Sequence, residues 1–160
     1  MTAGDVVLPS GRQFEIAHGD QRVVVVEVGG GLRSYTVGDA DVLDGYPVDG
    51  TCTSGRGQVL IPWPNRIADG RYAFAGEEQQ LAIDERGTGS AIHGLVRWVG
   101  WSLADRDERG VVLEHDVHPQ PGYPFALSLR IEYTLTRTLT LRAEAGVVSS
   151  LGLYFRRTFD

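Results

Sequence analysis

The sequence predicts an all-β protein, an antiparallel β-sandwich, and three observations support this fold class. Apolar and polar residues alternate with a period of two in several short runs, which is the pattern of strands with one buried face. Turns rich in Gly and Asp separate these runs at close spacing. No segment carries a convincing helical repeat, so the many short strands favour a sandwich or a barrel.

The clearest strand lies between Phe125 and Leu135, where apolar residues occupy every odd position and polar residues lie between them. The same odd-position pattern returns from Leu139 to Ala145, after a short turn. The two runs are therefore predicted to form a hairpin with one face buried and the other in water. Further strands are predicted at 21–28, 32–37, 71–75, 79–83, 98–104 and 111–117.

Turn residues connect these predicted strands into hairpins. The Gly29-Gly30-Gly31 turn separates the first two, and residues 105–110 separate the last two. Gly76-Glu77 is the predicted turn of a third hairpin, with Tyr72 and Phe74 on one face.

Composition limits the classes of protein and of partner. The chain has 160 residues, of which 42% are hydrophobic and 22% are charged, so we expect one globular domain over residues 1–160. The net charge of -6 argues against nucleic acid as a partner. Cys52 is the only cysteine, which excludes an internal disulfide. No signal peptide or bilayer-spanning run is evident, so we expect a cytoplasmic protein without a membrane partner.

Two segments carry the candidate chemistry. Residues 60–72 contain an Asn65-Arg66 pair after Pro62-Trp63-Pro64, and residues 91–98 contain His93 and Trp98. Arg presents a fixed fork of donors and Asn offers both donors and an acceptor, a combination that suits the hydroxyls of a neutral polyol. Trp98 offers an aromatic face to the apolar side of a sugar ring.

Each of these residues also has a plainer interpretation, which the sequence leaves open. Arg66 suits an ordinary surface ion pair, and Asn65 suits a turn after proline. His93 suits a structural role at a loop, although Gly94 beside it is expected to leave room for a ligand. Trp63 and Trp98 both suit the hydrophobic core.

Three blocks together resemble, in order and approximate spacing, the aldose 1-epimerase (galactose mutarotase) family. The blocks are 62–72, 92–95 and Gly122-Tyr123-Pro124-Phe125, and the likeness extends to about residue 143. The resemblance implies a galactose mutarotase-like supersandwich, a free aldose such as galactose or glucose as substrate, and no cofactor. It also implies that Asn65, Arg66 and His93 bind this sugar. The reaction implied is interconversion of α and β anomers by acid and base groups that open the ring.

The chain departs from the family pattern near its C-terminus. The family's acid His and base Glu have no counterparts that we identify, so no catalytic residue is assigned. Residues 144–160 diverge from the pattern, and we expect a product truncated to about the N-terminal half of the fold. Half a sandwich exposes strand edges, which predicts self-association. A carbohydrate-binding module without turnover and an interaction domain sharing only the scaffold remain alternatives.

Three other features receive plainer interpretations. The run from Glu114 to His118 resembles a metal cluster, but alternation along a strand places His115 on the opposite face from its neighbours, so we expect no metal. Gly122-Tyr123 is expected to form the entry turn of the clearest strand. Cys52 lacks a partnered His in the sequence around it and is expected to be a small loop side chain.

Overall fold

A computed structural model describes residues 7–148 and the backbone of residues 154–159. This part of the chain contains strands and no helix, as predicted, and therefore no helix with the length and apolar character needed to cross a membrane. The strands are β1 Gln13–His18, β2 Gln21–Val26, β3 Leu32–Val37, β4 Ala40–Asp41, β5 Arg66–Ala68, β6 Arg71–Phe74, β7 Glu77–Gln80, β8 Ser90–Ile92, β9 Ser102–Arg106, β10 Gly110–Val117, β11 Ala126–Leu135, β12 Leu139–Val148 and β13 Tyr154–Phe159.

Two antiparallel sheets form the body of the fold. The first has the order β1-β2-β3-β4 and the second has the order β13-β12-β11-β10-β9. Buried side chains of β1 and β2 in the first sheet join those of β10 and β11 in the second in one core cluster. The predicted antiparallel sandwich is confirmed. Two small additional ladders, β5-β8 and β6-β7, lie outside these sheets, and the β5-β8 ladder carries Arg66 with Asn65 and His93 next to its strands.

The predicted hairpin of the two clearest runs is confirmed as β11 and β12. They pair from Ala126 opposite Val148 to Leu135 opposite Leu139 without a register shift. The odd-numbered residues of β11 are buried, as the alternation predicted. The expected entry turn is also confirmed, because Gln120 and Tyr123 exchange backbone hydrogen bonds just before β11 begins.

The sequence missed β1, β4, β5, β8 and β13, and several predicted strands have different bounds, most clearly those at 79–83 and 98–104. The turn of the β6-β7 hairpin is Ala75-Gly76, and β7 ends at Gln80 because Leu81 enters the core and bonds Gly70. Residues 98–101 lie outside β9 because they pack alongside the β2-β3 turn. There the Trp101 N–H donates to the Glu27 carbonyl. The strand expected at 98–104 therefore begins only at Ser102.

The predicted glycine turn between β2 and β3 packs directly on the core. Gly30 has a φ of +63°, and a Cβ built on it lies 2.7 Å from the Ile131 Cδ1 atom. Only glycine avoids both the backbone strain and this clash. The buried Tyr133 hydroxyl donates a hydrogen bond of 2.9 Å to the Gly30 carbonyl, which ties the turn to the second sheet.

Candidate functional site

The β5-β8 ladder brings Asn65, Arg66 and His93 together. Arg66 lies opposite Ile92 in this antiparallel pair, so Asn65 and His93 lie opposite each other at its end. The His93 N–H donates to the Asn65 carbonyl over 2.9 Å. Two segments separated by more than twenty residues thus meet at one end of a short ladder.

The ring of His93 is fixed by the backbone of Asn65. The Asn65 N–H lies 3.0 Å from His93 Nδ1, so Nδ1 is the acceptor and the neutral ring carries its proton on Nε2. Both residues have a positive φ, +58° for Asn65 and +64° for His93. The backbones of Asn65 and His93 therefore fit the turn-forming and loop-capping interpretations. The Nε2–H group of His93 is still available for a ligand.

The pKa of His93 is lowered by burial and by the nearby Arg97 and Arg66 guanidinium groups. The neutral ring therefore dominates at neutral pH. Among the described residues, no group forms a hydrogen bond with Nε2. A Cβ built on Gly55 lies 3.7 Å from Nε2, an ordinary van der Waals distance, so Gly55 lies beside this edge of the ring.

Arg66 is held by Glu85 in a two-point contact. Arg66 Nη2 donates to Glu85 Oε1 over 2.6 Å, Nε donates to Oε2, and Thr88 Oγ1 also donates to Oε2. These contacts hold the pKa of Glu85 at about 2, and they raise the pKa of Arg66. Nη1 of the same guanidinium lies 3.3 Å from Asn65 Oδ1. The ion pair expected as the plainer role of Arg66 is thus present, and it directs the guanidinium to the Asn65 side.

A second carboxylate supports the strand that leads to His93. Asp84 Oδ1 accepts the Ile92 N–H over 2.7 Å, and Arg97 Nη2 donates to the Ile92 carbonyl over 3.1 Å. Asp84 and Arg97 also pair with each other at 3.1 Å. Sequence reasoning missed Asp84 and Glu85; the available signal was two adjacent carboxylates before a Gly-containing turn.

Trp98 lies outside the cluster of Asn65, Arg66 and His93. Its side chain is 57% exposed, so the core interpretation is wrong for this residue. The Arg97 guanidinium carbon lies 5.8 Å from the centroid of its ring. Arg97 bonds the carbonyl of Ile92, the residue before His93, and the sugar-binding role of Trp98 stays a prediction.

The expectation that Gly94 leaves room for a ligand is wrong. Its φ is +74°, and a Cβ built on it lies only 2.1 Å from the Ile61 carbonyl oxygen. The Leu95 N–H donates to the same carbonyl over 2.8 Å. The space beside Gly94 is therefore occupied by the chain itself, and glycine is needed for this close approach.

An apolar cavity of about 310 Å³ lies on the other face of β5. Ile67 lines it, and residues adjacent in a strand point to opposite faces, so Arg66 is directed away from it. The predicted shared face of Tyr72 and Phe74 is confirmed, since both line this cavity. Aromatic residues dominate its lining: Trp63, Tyr72, Phe74, Tyr123 and Phe125.

The remaining candidate groups have structural partners. Glu114 pairs with Arg130 at 2.7 Å, and Asp116 accepts a hydrogen bond from Ser128. His115 instead packs 5.6 Å from Trp101, between ring centroids. Within residues 7–148, no group of three or more His, Cys, Asp or Glu side chains is placed to hold a metal ion.

Cys52 is buried, and its Sγ lies 3.0 Å from the Arg56 carbonyl oxygen. Burial raises the pKa of the thiol, although Arg56 and Arg97 oppose that effect. Since the thiolate is the nucleophilic form, this environment disfavours catalysis by Cys52.

Solved structures share this fold at low sequence identity. An aldose epimerase homologue from C. elegans aligns with a TM-score of 0.76 and 17% identity, over 86% of this chain and 46% of that one. A galactose mutarotase-like protein from Clostridium acetobutylicum aligns with a TM-score of 0.70 and 19% identity, over 85% and 46%. These likenesses establish the galactose mutarotase-like β-sandwich.

Sequence comparison agrees. The chain is 36% identical over 135 residues to the uncharacterized protein YihR of Escherichia coli K12, covering 84% of this chain and 44% of that protein. It therefore spans less than half the length of these relatives. The sequence model of the family described as aldose 1-epimerase matches residues 12–151. The chain belongs to the aldose 1-epimerase family.

Proposed function

We propose that Asn65, Arg66 and His93 form a binding site for a free, uncharged aldose such as galactose or glucose, as part of an aldose 1-epimerase. The observation that carries this proposal is the fixed pair of donors at the end of the β5-β8 ladder. One donor is Nε2–H of His93, whose Nδ1 is engaged by Asn65. The other is the guanidinium of Arg66, whose direction Glu85 sets.

The chemistry of these donors suits a sugar. Hydroxyl and ring oxygens accept hydrogen bonds, and preoriented donors lose little entropy when the sugar binds. Glu85 and Asp84 each balance the charge of one arginine. This balance favours an uncharged sugar over a phosphorylated one.

Epimerisation of the anomeric carbon needs a base for the hydroxyl proton and an acid for the ring oxygen. Glu85 is a poor base because both of its oxygens are occupied and its pKa is about 2. Asp84 is engaged by Ile92 and Arg97. Among the described residues beside His93, no carboxylate is therefore free to act as the base. This favours, as a second candidate, sugar binding by this chain without turnover.

Titration with galactose and with glucose, followed by NMR, tests the binding proposal. We expect Arg66→Gln to weaken binding by about tenfold or more, since hydrogen bonds from charged donors are worth roughly 1.5–3 kcal/mol. Arg130→Gln is the matched control, because Arg130 pairs with Glu114 in the second main sheet. Equal affinity of Arg66→Gln and the unmodified chain would overturn the proposal.

Polarimetry on freshly dissolved α-glucose distinguishes the two candidates. Mutarotation faster than in buffer alone supports the epimerase, and the buffer rate supports binding without turnover.

Binding is also expected to depend on pH. The neutral form of His93 is favoured in the folded chain, so binding should be complete above pH 6.5 and should fall as the pH drops through the lowered pKa.

A further inference from the structure

The carboxylate of Glu85 lies behind the proposed sugar site. It meets Arg66 side-on, through Oε1 to Nη2 and Oε2 to Nε, which is the two-point geometry that fixes the plane of a guanidinium. Thr88 donates to the same carboxylate and holds it in turn. The plane of the Arg66 guanidinium is therefore set by Glu85, which engages Nε and Nη2. Nη1 donates to Asn65 Oδ1 over 3.3 Å, so one hydrogen each of Nη1 and Nη2 remains for a ligand.

Arg66 needs such support more than a buried arginine does. Its side chain is 47% exposed, and β5 is only three residues long. An exposed arginine samples many rotamers. The loss of this rotamer freedom on binding weakens the affinity for a ligand. A partner that fixes the side chain before binding removes part of this entropic cost.

Glu85 serves Arg66 alone among the nearby arginines. Arg97 is engaged by Asp84 and by the Ile92 carbonyl, so each arginine has its own carboxylate. The adjacent residues Asp84 and Glu85 therefore hold different parts of the site. Asp84 supports the strand that leads to His93, and Glu85 orients Arg66.

We infer that Glu85 is a positioning residue of the sugar site, which acts through Arg66 and does not touch the sugar itself. This inference rests on the proposed function, since it assumes that Arg66 binds the sugar. It assigns the affinity of the site partly to a residue on a separate segment, after β7 and before β8.

The test compares Glu85→Gln, Glu85→Asp and the control Glu114→Gln in the full chain. Glu114 forms a similar exposed ion pair with Arg130 in the second main sheet. We expect Glu85→Gln to weaken galactose binding by roughly two- to tenfold, the effect of one side chain that is no longer preordered. Glu85→Asp retains the charge and should recover part of the affinity, whereas Glu114→Gln should bind like the unmodified chain.

A second readout needs no sugar. The Nε–Hε NMR signal of Arg66 should exchange slowly with water in the unmodified chain, and faster in Glu85→Gln. A merely structural role would lower the melting temperature and leave this signal unchanged. If the unmodified chain binds no sugar, the proposed function fails. If it binds sugar and Glu85→Gln binds equally well, only the inference about Glu85 is overturned.

Discussion

Strands β11 and β12 are neighbours in one sheet and have the same length, yet the core covers β11 fully and β12 only in part. The odd-numbered side chains of β11 are at most 6% exposed. Their partners in β12 lie on the same face, because directly opposed residues of an antiparallel pair point to the same side. Even so, Leu141 opposite Tyr133 is 53% exposed, and Val147 opposite Leu127 is 40% exposed.

The difference follows from the extent of the first sheet. β1 contacts β10 and β11, and the side chains of β1 and β2 form one side of the core. Leu139, Ala143 and Ala145 of β12 still pack against the core, but Leu141 and Val147 are only partly covered. The edge of the core therefore runs along β12.

Truncation of one side chain in each strand gives the largest expected contrast. Ile131 in β11 is fully buried, and Ile131→Ala should lower the free energy of unfolding by about 2–5 kcal/mol. Leu141→Ala in β12 should change it by only about 0.5 kcal/mol, as at an exposed position. Urea denaturation measures both, and equal losses would show that β12 is covered as well as β11.

A smaller loss of stability is expected when the hydrogen bond between β11 and the β2-β3 turn is removed. Tyr133→Phe removes the hydroxyl that bonds the Gly30 carbonyl, and the buried carbonyl then lacks this partner. We expect a loss of about 1–3 kcal/mol in the free energy of unfolding. Tyr72→Phe is the matched control, since its hydroxyl also bonds a backbone carbonyl, that of Gly122, at a less buried position. A loss at Tyr133 no greater than at Tyr72 would contradict this account.

The sequence predicted what depends on local pattern. Period-two alternation gave the β11-β12 hairpin, because the pleat alone sets which side chains share a face. It could not predict that Leu141 is exposed, since the pattern at 139–145 matches that of β11. Coverage depends on the extent of a sheet formed by residues more than a hundred positions earlier.

The candidate site divides in the same way. Residue chemistry and the family resemblance identified Asn65, Arg66 and His93, and the structure brings them together. The partner of Arg66 lies nineteen positions away in a turn, and no local period links the two residues. Gly94 was misread because a glycine signals a close approach without saying whether a ligand or the chain makes it.

The smallest effect on stability is expected from polar substitution at the exposed apolar positions of β12. Leu141→Thr combined with Val147→Thr places a β-branched residue at both positions of β12 and removes apolar surface. The free energy of unfolding should change by about 0.5 kcal/mol or less per site, while self-association, measured by sedimentation velocity over a range of concentrations, should decrease. Val42→Thr is the control, because Val42 is also exposed but lies just beyond β4.

If the double variant associates as strongly as the unmodified chain, the uncovered face of β12 is not the surface through which copies meet. If Val42→Thr reduces association to the same extent, general surface hydrophobicity explains the effect, and the edge of the core along β12 has no special part in it.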